Sequence, residues 1–358
     1  MDQVNNSSAI SLVNQGCGFI TSVLIRHAKG QCFDVQLLAS HQRFPRAWTD
    51  IPAKISYGDE SILLEFLRPH NYFNYKIELY GAHGADISAN LIPFVAHSRD
   101  EVLAYLKPKT ITFAAPVRNC GPALLPGLRL AQLLGGYFQD YNIVIFENDS
   151  VDDTKRILQG LREDPKIKII QKDQLDHIFP FRTERISFAR NTLFNEVKKI
   201  GSDYFCPMDL DGVIGDNFDV EGFLNNFGFD ACWDAVFPAN TDKYYDIWTL
   251  RHEDLCPGDY EREMNAMDPV LSNTMIFDSR LNHLQNMDFK ALNGWLQVSS
   301  AFGGMGIYKT SKFIHSNYFG VKDGYEVSDH VAFHLKAVNS GAQLYINPKF
   351  LVESKLGL

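Results

Sequence analysis

Tyr204-Phe205-Cys206-Pro207-Met208-Asp209-Leu210-Asp211-Gly212 is an apolar run that stops at two carboxylates one residue apart, followed by a glycine. It reads as a short strand ending in a turn. On an extended backbone alternate side chains share a face, so Asp209 and Asp211 can point the same way. Two such carboxylates repel each other unless a proton or a cation lies between them. Mg²⁺ and Mn²⁺ resolve this with few carboxylates and several substrate oxygens. The plainer alternative is a turn whose aspartates face water. The sequence on either side weighs between the two.

Upstream, from Thr110, strand, loop and helix alternate. Ile111 to Ala115 reads as a buried strand broken by Pro116. Gly121-Pro122 opens a helix, proline being tolerated in the first turn, with Leu124, Leu125, Leu128, Ala131 and Leu134 along one side. Asn142 to Phe146 is a second strand running into Glu147-Asn148-Asp149-Ser150. Ser150 is the expected N-cap of the next helix, with Asp152 and Asp153 set against its dipole. Lys166 to Ile170 is a third strand. This alternation predicts an α/β fold, a mostly parallel sheet with helices on both faces. In such sheets ligands bind outside the carboxyl ends of the strands. Val117 to Asn119, Glu147 to Asp149, and Asp209 with Asp211 all fall at such ends.

The spacing predicts a helix from about Thr183, as cap, to Ile200, with Gly201 ending it. At about 100° per residue, Ile186, Ala189, Leu193, Val197 and Ile200 share a stripe, and Arg190 falls on its edge. A buried arginine needs a partner. That partner is either an internal carboxylate or a diphosphate, which suits the planar donor fork.

Downstream come a helix over Phe218 to Phe227, a strand over Ala235 to Pro238, and the aromatic run Lys243-Tyr244-Tyr245-Asp246-Ile247-Trp248-Thr249-Leu250-Arg251. Leu255 to about Leu296 is irregular and too long for a simple connection, which points to a loop or lid. Gly303, Gly304 and Gly306 either admit a ligand or make a tight turn. Ser328 is the expected cap of the last helix, placing Asp329 and His330 at its N-terminus. There Asp329 can serve a ligand or merely complement the dipole beside an exposed His330. Leu344 to Ile346 is a closing strand.

A chain of 358 residues favours two domains. Residues 1–105 carry short alternating runs without helix periodicity, so a small β-rich domain is expected, sandwich-like and without a catalytic constellation. Residues 106–358 form the α/β domain. A net charge of −9 argues against a general nucleic-acid binder. Cys17, Cys32, Cys120, Cys206, Cys232 and Cys256 show neither a C-x-x-C pair nor zinc spacing. No apolar run spans a bilayer, and no basic residue precedes Arg26, as a signal peptide would require. A soluble, cytoplasmic protein is expected, with peripheral membrane contact left open.

In order, Pro116-Val117-Arg118-Asn119, Glu147-Asn148-Asp149-Ser150, Arg185-Ile186, Arg190-Asn191, Asp209-Leu210-Asp211 and Ser328-Asp329-His330 resemble the motifs of a glycosyltransferase of the GT-A fold. Together with Tyr245-Asp246-Ile247-Trp248, these fragments are most similar to the fungal capsule-associated mannosyltransferases and related bacterial and viral enzymes. The resemblance covers about Thr110 to Pro348. It implies a UDP- or GDP-linked nucleotide sugar as donor, a glycan or other hydroxyl acceptor, and Mn²⁺ or Mg²⁺. It places Pro116, Val117, Arg118, Asn119, Glu147, Asn148 and Asp149 around base and ribose, and Arg185 and Arg190 at the diphosphate. Asp209 falls near ribose and metal, Asp211 on the metal, and His330 where a residue can complete the metal shell. Asp329 holds the place of a general base in many inverting members. Those members usually carry Glu-Asp or a Glu where this chain has Ser328-Asp329, and the capsule-associated relatives retain configuration, so base and stereochemistry both stay open.

Two other classes share some of these features. A haloacid-dehalogenase-type phosphatase also uses strand-Asp-x-Asp-Gly, with the first Asp as nucleophile; there the motif follows the domain's first strand and Thr replaces Val213. A non-catalytic carbohydrate-binding protein would use Tyr244, Tyr245 and Trp248 as stacking platforms.

Overall fold

The computed structural model describes residues 7–15, 18–29, 31, 34–40, 48–80, 86–214, 217–241, 244–259, 262, 284 and 286–353. The chain divides into two compact units, Met1–Ala96 with Asn293–Trp295, and His97–Leu292 with Leu296–Leu358.

The first unit is all β. Its strands are β1 (Ser7–Val13), β2 (Ile20–Arg26), β3 (Asp34–Ser40), β4 (Thr49–Asp50), β5 (Ala53–Tyr57), β6 (Ser61–His70), β7 (Asn74–Tyr80) and β8 (Ser88–Pro93). They form two antiparallel four-stranded sheets, ordered β1-β7-β3-β4 and β5-β6-β2-β8. The period-2 pattern sets the inner faces. Tyr75, Ile77 and Leu79 of β7 and Val23 and Ile25 of β2 are buried in one shared core with Ile62 and Leu64 of β6, as in a sandwich.

The second unit opens with α1 (Arg99–Leu106), which the sequence reading missed. Its signal was present: Ser98-x-x-Glu101 is a capping box, in which the Ser98 amide donates to Glu101 Oε2 at 2.7 Å, ahead of Val102 and Leu106 at helical spacing. There follow β9 (Thr110–Val117), α2 (Gly121–Gly135), β10 (Asp140–Glu147), α3 (Thr154–Gln159), β11 (Ile167–Gln171), α4 (Leu175–Ile178), α5 (Arg182–Ile200) and β12 (Tyr204–Pro207). Then come α6 (Val220–Asn225), β13 (Ala235–Asn240), β14 (Leu296–Val298), β15 (Ile307–Lys309), α7 (Thr310–Phe313), the hairpin β16 (Val321–Lys322) and β17 (Tyr325–Glu326), α8 (Asp329–Val338) and β18 (Leu344–Val352).

Eight of these strands form one mixed sheet, ordered β11-β10-β9-β12-β15-β13-β18-β14. Pairing is parallel from β11 through β12 and between β13 and β18, and antiparallel elsewhere. The expected α/β architecture, a mostly parallel mixed sheet preceded by a β-rich segment, is what the chain forms. The strand order reverses at β9: β10 and β11 extend the sheet one way and β12 the other. A crevice therefore opens at the carboxyl ends of β9 and β12, the place where such sheets bind ligands.

Several local expectations are corrected. Pro116 does not break its strand but lies inside β9, opposite Phe146. The Ala114 carbonyl faces β12 and accepts from the Met208 amide, so Pro116, two residues on, turns its missing N–H to the same side, beyond the last β12 partner. No ladder bond is lost there. Ser150 does not cap a helix; α3 starts at Thr154 after Asp153, and the Ser150 hydroxyl accepts from the Asn119 amide at 3.0 Å. Thr183 is not the cap of α5. Phe181 is, and the Thr183 amide and hydroxyl both donate to Glu326 Oε1 at 3.0 Å. On α5, Ala189, Leu193 and Val197 are buried against Ala114, Val144 and Phe146 of the sheet, each large side chain contributing about 1.5–3 kcal/mol. Ile200, in the last turn before the Gly201 cap, is exposed instead. Leu125 of α2 is likewise exposed. Most of the expected loop or lid over Leu255 to Leu296 lies outside the described residues.

Candidate active site

A cavity of about 300 Å³ lies at the β9/β12 crevice, lined by Pro116, Val117, Arg118, Asn148, Arg182, Arg185, Ile186, Ala189, Arg190, Asp209 and Asp211. Eight of these are residues the sequence singled out. The end of β9 supplies the first three, the end of β10 supplies Asn148, α5 supplies Arg182, Arg185, Ile186, Ala189 and Arg190, and the turn after β12 supplies the carboxylates.

Arg190 is the centre of the charge arrangement. It is 7% exposed, with Nη2 3.1 Å from Asp209 Oδ1 and Nε 2.9 Å from Asp329 Oδ2. Burial opposes its charge, but Asp329 and Asp209 outweigh burial and hold the guanidinium protonated. The internal-carboxylate alternative for Arg190 is thus realised twice over, while the residue still faces the cavity. Its Nη1 has no hydrogen-bond partner. The guanidinium also stacks over the Phe302 ring at 5.0 Å.

Asp209 follows β12, its amide donating to the Gly304 carbonyl at 2.9 Å. Gly303 and Gly304 both have positive φ, 75° and 91°, so the glycine run makes a tight turn that L side chains avoid. Burial is the main reason the Asp209 carboxyl is pushed up to about 7; Arg190 opposes this, and the nearby Asp211 and Asp246 charges reinforce it. Asp211 is exposed. Asp246, part of the aromatic run Tyr244–Trp248, is a half-buried carboxylate held by the Thr249 hydroxyl at 2.7 Å and the Gly303 amide at 3.3 Å. Burial raises its pKa as well.

The remaining predicted residues are placed differently. Asn119 and Asp149, both at φ 53°, build the loops: the Val151 amide donates to Asn119 Oδ1 at 2.8 Å and the Leu175 amide to Asp149 Oδ2 at 3.1 Å. Glu147 is fully buried and accepts from the Ser150 amide at 2.9 Å. None of these three lines the cavity. Arg118 and Arg185 do, and both pair with Asp176, at 2.8 and 3.0 Å. Asp176 and Arg182 were missed. Arg182 sits one helical turn before Arg185, a spacing that periodicity could have flagged.

Asp329 and His330 begin α8 and are both buried, so the exposed-histidine alternative does not hold. Burial raises the Asp329 pKa in spite of Arg190. The Ser328 hydroxyl makes no capping bond; it pairs with the Thr249 hydroxyl at 2.9 Å. His330 stacks on Phe302 at 4.0 Å, and neither of its ring nitrogens has a hydrogen-bond partner. Burial keeps it neutral. Orphaned polar atoms on Arg190, Tyr245 and His330 are the kind of unsatisfied set that a ligand completes.

Asp209 and Asp211 present hard oxygen donors, and the carboxylates around Asp209 outnumber the one guanidinium paired to it. That donor set fits Mg²⁺ or Mn²⁺. Among the described residues no three His, Cys, Asp or Glu side chains gather closely enough to hold a metal, so ligand and water oxygens would fill the shell. The aromatic-platform alternative loses Tyr244, which is 1% exposed and packs on Phe289 in the core. Among the described residues no helix is long and apolar enough to cross a membrane.

No family model and no curated protein matches this sequence. Among solved structures, the chain is similar to the mannosyltransferase PcManGT from Pyrobaculum calidifontis in complex with GDP-Man and Mn²⁺, at 12% identity and a TM-score of 0.42, over 70% of this chain and 58% of that one. It is similar to glucosyl-3-phosphoglycerate synthase from M. tuberculosis at 12% identity and a TM-score of 0.38, over 74% and 79% of the two chains. A third is S. aureus TarS 1-349, at 12% identity and 0.37, over 68% and 59%. The chain thus spans less than two thirds of PcManGT and of the TarS fragment. At TM-scores below 0.5, these likenesses assign no activity to it.

Proposed function

We propose that this chain is a metal-dependent glycosyltransferase that moves a sugar from a UDP- or GDP-linked donor to a hydroxyl acceptor. The observation that carries this reading is the convergence of Arg182, Arg185 and Arg190 with Asp209 and Asp211 on one cavity at the strand-order reversal. Three guanidiniums suit a diphosphate, and the carboxylate pair would hold a divalent cation.

In the reaction the acceptor oxygen bonds to the anomeric carbon. The bond from that carbon to the diphosphate oxygen breaks, and its electron pair leaves with the nucleoside diphosphate. Arg182, Arg185 and Arg190 stabilise the charge that develops there. Mn²⁺ or Mg²⁺ on Asp209 and Asp211 supplies further electrostatic stabilisation of the same group when bound. His330, neutral and without a hydrogen-bond partner, is not gathered with Asp209 and Asp211 into a three-ligand set, so the shell beyond the two carboxylates would be left to ligand and water oxygens. Pro116, Val117, Arg118 and Asn148 border the base and ribose, with Asn119, Glu147 and Asp149 shaping the loops behind them. Asp329, whose pKa burial raises, is the proposed acceptor of the hydroxyl proton. The ordered motifs resemble those of the fungal capsule-associated mannosyltransferases, and a hexose is the proposed sugar.

Thermal-shift screening of UDP- and GDP-sugars with and without Mn²⁺ tests the reading. A shift that needs both a nucleotide sugar and Mn²⁺ is expected, because a ligand bound only by the folded state raises its stability. Release of phosphate from simple esters, without any such shift, would instead support the phosphatase.

A further inference from the structure

A second cavity, of about 320 Å³, lies on the α2 side of the Asp209–Gly212 turn and shares Asp209 with the arginine-lined one. Most of its walls are apolar: Pro122, Pro126 and Leu130 come from α2, and Leu210, Ile214 and Phe218 from the chain after β12. Asp209 is the one charged residue among those lining it. The helix and the turn meet closely, since a Cβ at Gly127 would stand 2.5 Å from Leu210 Cδ2.

The apolar surface does not stop at the cavity. At about 100° per residue, Pro122, Pro126, Leu130 and Leu133 follow one side of α2. Leu133 is 53% exposed, so the strip leads outward from the cavity along the helix. A narrow apolar strip that starts beside a carboxylate fits an elongated ligand with one polar end. The Asp209 carboxylate, held by Arg190 at 3.1 Å, offers that end a hydrogen-bond acceptor for a hydroxyl.

We propose that this cavity binds the alkyl chain of an amphipathic acceptor whose hydroxyl-bearing head rests at Asp209. The term acceptor rests on the transferase reading above; the binding of an alkyl chain does not.

The test uses n-octyl, n-hexyl and methyl β-D-glucopyranoside below their micellar concentrations, titrated calorimetrically into the full chain. Affinity is expected to rise up to about fourfold per added methylene and methyl glucoside to show no binding. Leu130→Trp fills the cavity, and Leu133→Lys puts a charge on the strip. Both are expected to weaken octyl glucoside at least tenfold while leaving nucleoside diphosphate binding with Mn²⁺ unchanged. Affinity independent of chain length, absence of octyl glucoside binding, or equal binding by Leu130→Trp overturns the proposal. Chain-length-dependent binding in a protein that ignores nucleoside diphosphates with Mn²⁺ would leave the alkyl site standing and sink the transferase reading.

Discussion

The Arg190 guanidinium lies 2.9 Å from the Asp329 carboxylate while also reaching Asp209 at 3.1 Å. One side chain of α5 therefore fastens the end of β12 to the start of α8. All three groups are largely withdrawn from water, with side-chain exposures of 8%, 23% and 12% for Arg190, Asp209 and Asp329. Removing the guanidinium leaves two uncompensated carboxylates. Arg190→Ala is expected to destabilise the metal-free protein by about 3–5 kcal/mol, measured by urea denaturation. The double variant Arg190→Ala/Asp329→Asn should lose less than the two single changes added together, because the second removes one stranded charge. Additive losses would mean that the two groups act independently.

Asp211 stands outside this buried network and is exposed. Asp211→Ala should therefore leave thermal stability within about 0.5 kcal/mol of the native chain. Its effect is expected on ligands: nucleoside diphosphate affinity in Mn²⁺ should fall at least tenfold. Unchanged affinity in calorimetry would remove Asp211 from the metal site.

Asp329 offers a separation of binding from turnover. If it takes the acceptor proton, Asp329→Asn keeps the shape of the site and loses the base, so turnover should fall about 10²–10⁴-fold. Donor affinity should change little. Near-normal turnover in a steady-state assay would move the base elsewhere and leave Asp329 as the counter-charge of Arg190.

How much of this was legible in the sequence follows from the range of each interaction. The sheet and α5 were readable because a strand covered on both faces is a continuous apolar run, as at Ile143 to Phe146, and a helix buried on one face has an apolar period of 3.6, as at Ala189, Leu193 and Val197. Asp209, Asp211 and Arg190 were readable because polar groups at strand ends or on an apolar stripe contradict those patterns. Partner choice was not. Ser150 and Thr183 look like caps locally, but Asn119 and Glu326 claim them across 31 and 143 residues. Asp246 gave no local signal, since its partners are the Thr249 hydroxyl in the following turn and the Gly303 amide 57 residues away. The resemblance sets Glu147 among the residues around base and ribose, but its side chain is fully buried outside the cavity lining and accepts from the Ser150 amide of its own loop.

His334 gives the chain a pH dependence whose sign can be fixed in advance. It is fully buried, with Nδ1 2.9 Å from the Ser300 hydroxyl and Nε2 2.8 Å from the Tyr308 hydroxyl. Burial first, and then the Arg190 charge, lowers its pKa from 6.5 to about 3. In the unfolded chain the same ring titrates near 6.5, so below that pH the unfolded state binds a proton that the folded state refuses. The stability from neutral His334 is complete above pH 6.5 and lost as the pH falls, by about 1.4 kcal/mol per pH unit. Asp209, pushed up to about 7, acts in the opposite sense by taking up a proton in the folded state, so the total slope alone is ambiguous. The difference between variants is not. His334→Gln cannot titrate, and urea denaturation at pH 7.5, 6.5 and 5.5 should show a shallower acid loss than in the native chain, by about that one-proton slope below pH 6.5. Parallel curves would mean that His334 is protonated in the fold, with one of its two hydroxyl partners turned to accept.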